Sequence, residues 1–106
     1  MSKYREHPIL ECPYKYEIEA LSCYFDSENP DDSYLDLTLR SNDARIKLRF
    51  HRPVNIAIEN GFPQPTGGMV FYDRRGDGLE NIGIEVADFE ASHGAVTFSA
   101  KSVTRL

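Results

Sequence analysis

The chain is predicted to be all-β, an antiparallel two-layer sandwich or barrel-like domain of about seven strands. Three observations predict it. Six stretches, at 34–40, 45–50, 54–58, 69–72, 82–86 and 96–100, alternate apolar and polar residues, and successive strand side chains point to opposite faces, so each stretch offers one dry and one wet face. Residues that favour turns separate the stretches. No helical pattern long enough to cover a single sheet lies between them, so the dry faces must cover one another.

The first dozen residues carry Arg5, Glu6 and His7 and then Pro8 and Pro13, which cannot donate to a ladder. Residues 1–13 are expected to be an irregular lead-in, and 14–106 the single domain. The stretch 14–20 alternates, although Tyr14, Ile18, Leu21 and Phe25 also fall at helical spacing. Strand is chosen because tyrosine and isoleucine favour β structure and the downstream chain offers only sheet neighbours. An acidic, turn-rich loop over 26–33 follows.

Residues 41–44 join two alternating strands of equal length, the pattern of a hairpin. Placing Arg40 opposite Arg45 sets Thr38 against Lys47 and Asp36 against Arg49 on the wet face. Leu35, Leu37 and Leu39 then share the dry face with Ile46, Leu48 and Phe50. An exposed Asp36–Arg49 pair would contribute only a few tenths of a kcal/mol, so the apolar residues set the register.

Arg52-Pro53 breaks the second strand of the hairpin, and Val54, Ile56 and Ile58 resume an apolar face, which fits a switch from one sheet to the other. Residues 60–68 hold three glycines and two prolines and must be a loop. A second, strongly charged turn covers 73–78. The last hairpin runs through 88–94, with Ile82, Ile84 and Val86 set against Val96, Phe98 and Ala100, and with Phe89 folded inward by a bulge closing on Gly94. Val103 and Leu106 are expected to extend the final strand.

At 106 residues, 41% hydrophobic and 27% charged, the chain suits one globular domain with one core. Its formal charge of -5 opposes binding to a phosphate backbone, which needs a concentrated positive field, so nucleic acid is not expected as a partner. No apolar run approaches the roughly 20 residues that span a bilayer, and the N-terminus lacks the apolar stretch of a secretory signal. A cytoplasmic protein without a membrane partner is expected. Cys12 and Cys23 lack the spacing of a zinc site. They are read as reduced thiols, with Cys23 packed as a small apolar residue, and a disulfide as the alternative in an oxidising compartment.

Candidate chemistry is sparse. His7, His51 and His93 lie far apart in sequence and act together only if the fold gathers them. No glycine-flanked nucleophile turn accompanies the serines. Asp73, Asp77 and Glu80 could offer oxygens to a hard cation, but Arg75 and Ile84 occupy positions where a calcium loop needs ligands, and Arg74 and Arg75 would repel the ion. Arg75-Gly76-Asp77 matches a cell-adhesion tripeptide by chance. No catalytic residue, metal site or cofactor is expected, and the chain is read as non-enzymatic.

What remains is charge on loops. Glu28, Asp31 and Asp32 form a negative patch, and Asp73, Arg74, Arg75, Asp77 and Glu80 form a mixed one. Solvated turns are the plain reading of both, while acidic loops also steer basic protein surfaces into contact. These eight residues are the candidate partner surface. Arg40, Arg45, Lys47 and Arg49 make a basic stripe on one sheet face, the usual composition of a wet face or a protected edge.

Four patterns carry a resemblance: the leucines at 35, 37 and 39, Leu48 with Phe50, the series Val86, Asp88, Glu90, and the series Gly94, Val96, Phe98. From Leu35 to the end, about two thirds of the chain, the sequence resembles small uncharacterised bacterial proteins of β-sandwich type, some grouped with the immunity proteins of toxin systems. The resemblance implies a small β domain that acts by binding another protein and assigns no residue roles. The expected function is thus a non-catalytic interaction domain that occludes a protein partner, a toxin in the immunity-type form. The alternative is a small-molecule or carbohydrate-binding β module, in which some of the six tyrosines would stack on a ligand. Exposed strand edges leave a homodimer open.

Overall fold

In the computed structural model, residues 5–64, 67–90 and 94–106 are described. They form eight strands: β1 Glu17–Tyr24, β2 Tyr34–Arg40, β3 Arg45–His51, β4 Val54–Ile58, β5 Met69–Asp73, β6 Ile84–Asp88, β7 Val96–Ala100 and β8 Ser102–Arg105. Two four-stranded sheets result, ordered β1-β2-β3-β8 and β4-β7-β6-β5. Every pairing is antiparallel, so the chain is an all-β sandwich with one strand more than the seven its alternation predicts.

The β2–β3 hairpin has the expected register, with Arg40 opposite Arg45, Asp36 opposite Arg49 and Leu37 opposite Leu48. Leu35, Leu37, Leu39, Leu48 and Phe50 are completely buried. Across the sandwich Phe50 meets Phe71 and Phe98 edge to face, with ring centres 5.7 and 4.9 Å apart. That arrangement matches the positive rim of one ring to the negative face of the next and joins the two sheets at their centre.

The sheet switch lies where Arg52-Pro53 predicts it. Arg52 adopts φ 54° and Pro53 is buried, and the chain passes from β3 in one sheet to β4 in the other. The last strands make the same passage in reverse at Lys101, because His51 pairs with Ser102 on one side of the bend and Val54 with Ser99 on the other. Residues 45–58 and 96–105 are therefore one long two-stranded ribbon, bent into both sheets, and strands that cross a sandwich corner this way are a recognised solution to closing it. Residues 102–105 thus do not extend β7 within its sheet, as the sequence reading expected, but form β8 beside β3.

Four further expectations are corrected. The first strand starts at Glu17 and continues to Tyr24, whereas residues 13–15 form a 3-10 turn after Cys12, which has φ 50°. The pairing shifts by one between Ile18 and Ala20, leaving Glu19 as the extra residue of a bulge. Beyond it Leu21 and Cys23 point to the dry side, opposite Leu37 and Leu35. Cover fades along that side, so Leu21 is half-buried and Cys23 is exposed rather than packed. Cys12 and Cys23 are both free thiols.

In the last hairpin Ile84 faces Ala100 and Val86 faces Phe98, a slip of two residues from the expected pairing. An even slip keeps every side chain on its own face, so the core set survives, though Ile82 falls outside the strand. Phe89 is 63% exposed instead of folded inward. Its N–H is fixed to the Gly68 carbonyl, and its ring meets Tyr14 edge to face at 6.2 Å.

The lead-in crosses the open side of the sandwich. Glu6 bridges to Tyr72 on β5, the His7 N–H donates to the Phe71 carbonyl, and the Asp73 N–H donates to the Arg5 carbonyl. Leu10 and Pro13 are then buried, with Ile9 and Tyr16 packed on the core, before the chain enters β1.

Candidate protein-binding surface

Both charged loops lie at the same end of the sandwich, where β1, β3, β5 and β7 finish and β2 and β6 begin. Lys101 joins them. Its ammonium lies 3.8 Å from Asp31 in the first loop, and its backbone carbonyl packs on Gly83, whose own carbonyl accepts the Arg74 N–H of the second.

The first loop is organised by its own short polar side chains. Asp26 Oδ1 accepts the N–H groups of Glu28 and Asn29 at 3.0 and 3.1 Å, and the Asp26 N–H donates to Ser33 Oγ. Residues Pro30–Asp32 form a 3-10 turn, and Asn29 donates to Asp32 Oδ2 at 2.9 Å. Asp31 receives Arg52 at 2.6 Å, and this hydrogen bond, with Lys101 behind it, holds its carboxyl below the usual range. Asp26, Glu28 and Asp32 have no cationic partner among the described residues.

In the second loop the charges face one another. Arg75 donates to both oxygens of Asp73, at 2.9 and 2.8 Å, and its backbone N–H adds a third bond. Asp73 is almost covered, and those bonds outweigh its desolvation and hold its carboxyl well below the usual carboxylate range. Arg74 spans Glu85, at 2.6 Å, and Asp77, at 3.2 Å, and both contacts raise its pKa. The two arginines are thus occupied by neighbouring carboxylates. Glu80 pairs with no cation among the described residues, and Leu79 beside it is 52% exposed.

Of the predicted residues, the structure ties Asp31, Asp73, Arg74, Arg75 and Asp77 into internal ion pairs and leaves Glu28, Asp32 and Glu80 facing outward. His7 and His51 are held by different partners, His7 by the Ile9 N–H and His51 by Thr104. His93 lies outside the described residues. Most of the basic stripe is paired as well, Arg40 with Glu17 and Glu19, Arg45 with Glu19 and Arg49 with Asp36.

Sequence reasoning missed the aromatic edge of this end. Tyr24 and Phe25 are 49% and 60% exposed, at the point where β1 leaves the sheet and the acidic loop begins. The Tyr24 ring leans on Tyr34 at 5.5 Å, and the Arg49 guanidinium covers the other ring 3.9 Å from its centre. The readable signal was two adjacent aromatic residues followed directly by Asp26, which places apolar area against uncompensated charge. Aromatic anchors inside a polar rim are the usual anatomy of a protein contact.

At the opposite end, a cavity of about 30 Å³ opens between the sheets beside Tyr16, Ile18, Phe62, Met69 and Val96. That volume holds a water molecule or two. Among the described residues no three histidine, cysteine or acidic side chains converge on a point that would hold a metal ion, and no helix is long and apolar enough to cross a membrane. Compared with family models, curated proteins and solved structures, the chain matches none.

Proposed function

We propose that this chain is a non-catalytic protein-binding domain whose contact surface centres on Tyr24 and Phe25. One observation carries the reading. Two exposed aromatic side chains directly precede the acidic loop, whose Asp26, Glu28 and Asp32 no cation of the described chain neutralises. Burying the rings supplies affinity, and the carboxylates draw in a basic surface and fix its orientation. In the immunity-type form that the resemblance implies, the partner is a toxin and the effect is occlusion of its surface.

The test is a tagged pull-down from lysate of the source organism at low and moderate salt, run beside a Phe25→Ala variant. A stoichiometric partner held by the parent, weakened by salt and lost by the variant is the expected result. Equal retention by the variant would remove the aromatic anchor from the proposal.

The stacked Tyr24, Tyr34 and Arg49 favour a second reading, a module that stacks a sugar on the tyrosine pair. A saccharide that raises the melting temperature in proportion to ln(1 + [L]/Kd) would establish it.

A further inference from the structure

Resting on the protein-binding reading, we infer that the free edge of β1 takes up an extended, basic segment of a partner as an additional strand. The four sheet edges differ sharply in how they are finished. At β5, residues 5–7 already pair with the edge through the Glu6–Tyr72 bridge and the flanking bonds. At β4, Asn55 has φ 58° and the pairing with β7 slips between Val54 and Ala57, which breaks the line of donors and acceptors. The β8 edge is only four residues long. Each of these is a known way of blunting an edge against unwanted pairing.

On β1 such devices are confined to its first three residues, the charged Glu17 and the charged, bulged Glu19. Beyond it Ala20 to Tyr24 pair with Thr38 to Tyr34 of β2 in unbroken register, and their other side meets no strand among the described residues. Those five residues hold no charge and no proline, and all but Leu21 are exposed. A regular, uncharged edge is a template for one more strand, with main-chain bonds for affinity and side-chain pockets for selectivity.

Charge selects the occupant. Asp26, Glu28 and Asp32 follow directly after this edge, so an incoming strand carrying arginine or lysine at the matching end gains ion pairs as it docks. A second copy of the chain brings the opposite. Antiparallel self-pairing centred on Ser22 places Asp26 of one copy beside Ile18 of the other, between Glu17 and Glu19. Parallel self-pairing sets the two acidic loops side by side. Like charges meet in the parallel arrangement, and in the antiparallel one the acidic loop meets carboxylates that Arg40 and Arg45 already engage.

The experiment uses capped peptides that alternate threonine and valine. One ends in a pair of arginines, a second ends in a pair of glutamates, and a third is the arginine peptide N-methylated at alternate residues, which removes its donors along one edge. Each is titrated into the intact isotope-labelled chain while amide hydrogen exchange is followed by NMR. The arginine peptide should bind and slow exchange within Ala20 to Tyr24, and both control peptides should bind at least about tenfold more weakly. A Glu28→Gln, Asp32→Asn double variant should narrow the gap between the arginine and glutamate peptides.

The proposal is overturned if the arginine peptide does not bind, if it binds without protecting these amides, or if the N-methylated form binds equally well. It is also overturned if the chain alone protects them as its concentration rises, because the edge then belongs to a second copy. None of these failures touches the protein-binding reading, which the pull-down decides.

Discussion

Arg49 grips both oxygens of Asp36, at 2.8 and 2.9 Å, from a position that also caps the Tyr34 ring at 3.9 Å. Asp36 points to the solvent side of its sheet yet is only 6% exposed, because its own neighbours cover it. The pair is more than the surface ion pair its sequence suggests. Arg49→Ala leaves a covered carboxylate without its partner, and unfolding in urea should show a loss of about 2 kcal/mol. Arg49→Lys should recover less than half of it, since an ammonium cannot make the paired fork or lie flat on the ring.

Acid should weaken the fold in a defined window. Asp73, Asp36 and Asp31 all have carboxyl groups held below their ordinary values, first of all by hydrogen bonds from Arg75, Arg49 and Arg52. Below the ordinary carboxylate range the unfolded chain binds protons that the folded chain refuses, so stability is fully present above that range and falls as pH drops through the lowered folded values. Denaturation midpoints measured from pH 7 downward should stay level and then decline below about pH 4. Asp73→Asn should be less stable at neutral pH and show a shallower decline.

Gly83 has no room for a methyl group. A β-carbon there would lie 2.4 Å from the Lys101 carbonyl oxygen, a backbone atom, with Arg75 at 3.3 Å on another side. Gly83→Ala should therefore push β6 away from the β7–β8 bend and cost about 2 kcal/mol, lowering the melting temperature by roughly 8 to 16 °C. Gly76 meets nothing within 4 Å of the same position. Gly76→Ala should change stability by less than about 0.5 kcal/mol, and the comparison isolates the steric effect.

Phe50 is the meeting point of the two sheets. Phe50→Leu removes the ring contacts to Phe71 and Phe98 while keeping an apolar side chain, and should cost about 1 to 3 kcal/mol by calorimetry. Phe50→Ala should cost about 3 to 5 kcal/mol, most of the stability of a domain at the low end of the ordinary range.

The β2–β3 hairpin was legible because both strands carry an unbroken period of two around a short loop, and a wrong register would put three leucines in water. β1 was misplaced for the converse reason. The bulge at Glu19 reverses the phase, so Ile18 and Leu21 share a face although three positions separate them, and alternation read from Tyr14 runs out at Ala20. β8 had no readable destination, since only Val103 of its four residues is half-buried. At the site, Asp73 and Arg75 are two residues apart and their pairing is local, but the link from Asp31 to Arg52 and Lys101 needs the sheet switch to bring three distant segments together.

The bent ribbon of 45–58 and 96–105 ties the two sheets covalently along one side, whereas the opposite side is spanned by the lead-in through residues 5–16. The molecule is built like a book, with the ribbon as its spine and the lead-in as its clasp. Any breathing of the two layers must begin at the clasp, which lets go of β5 while the chain keeps it joined to β1.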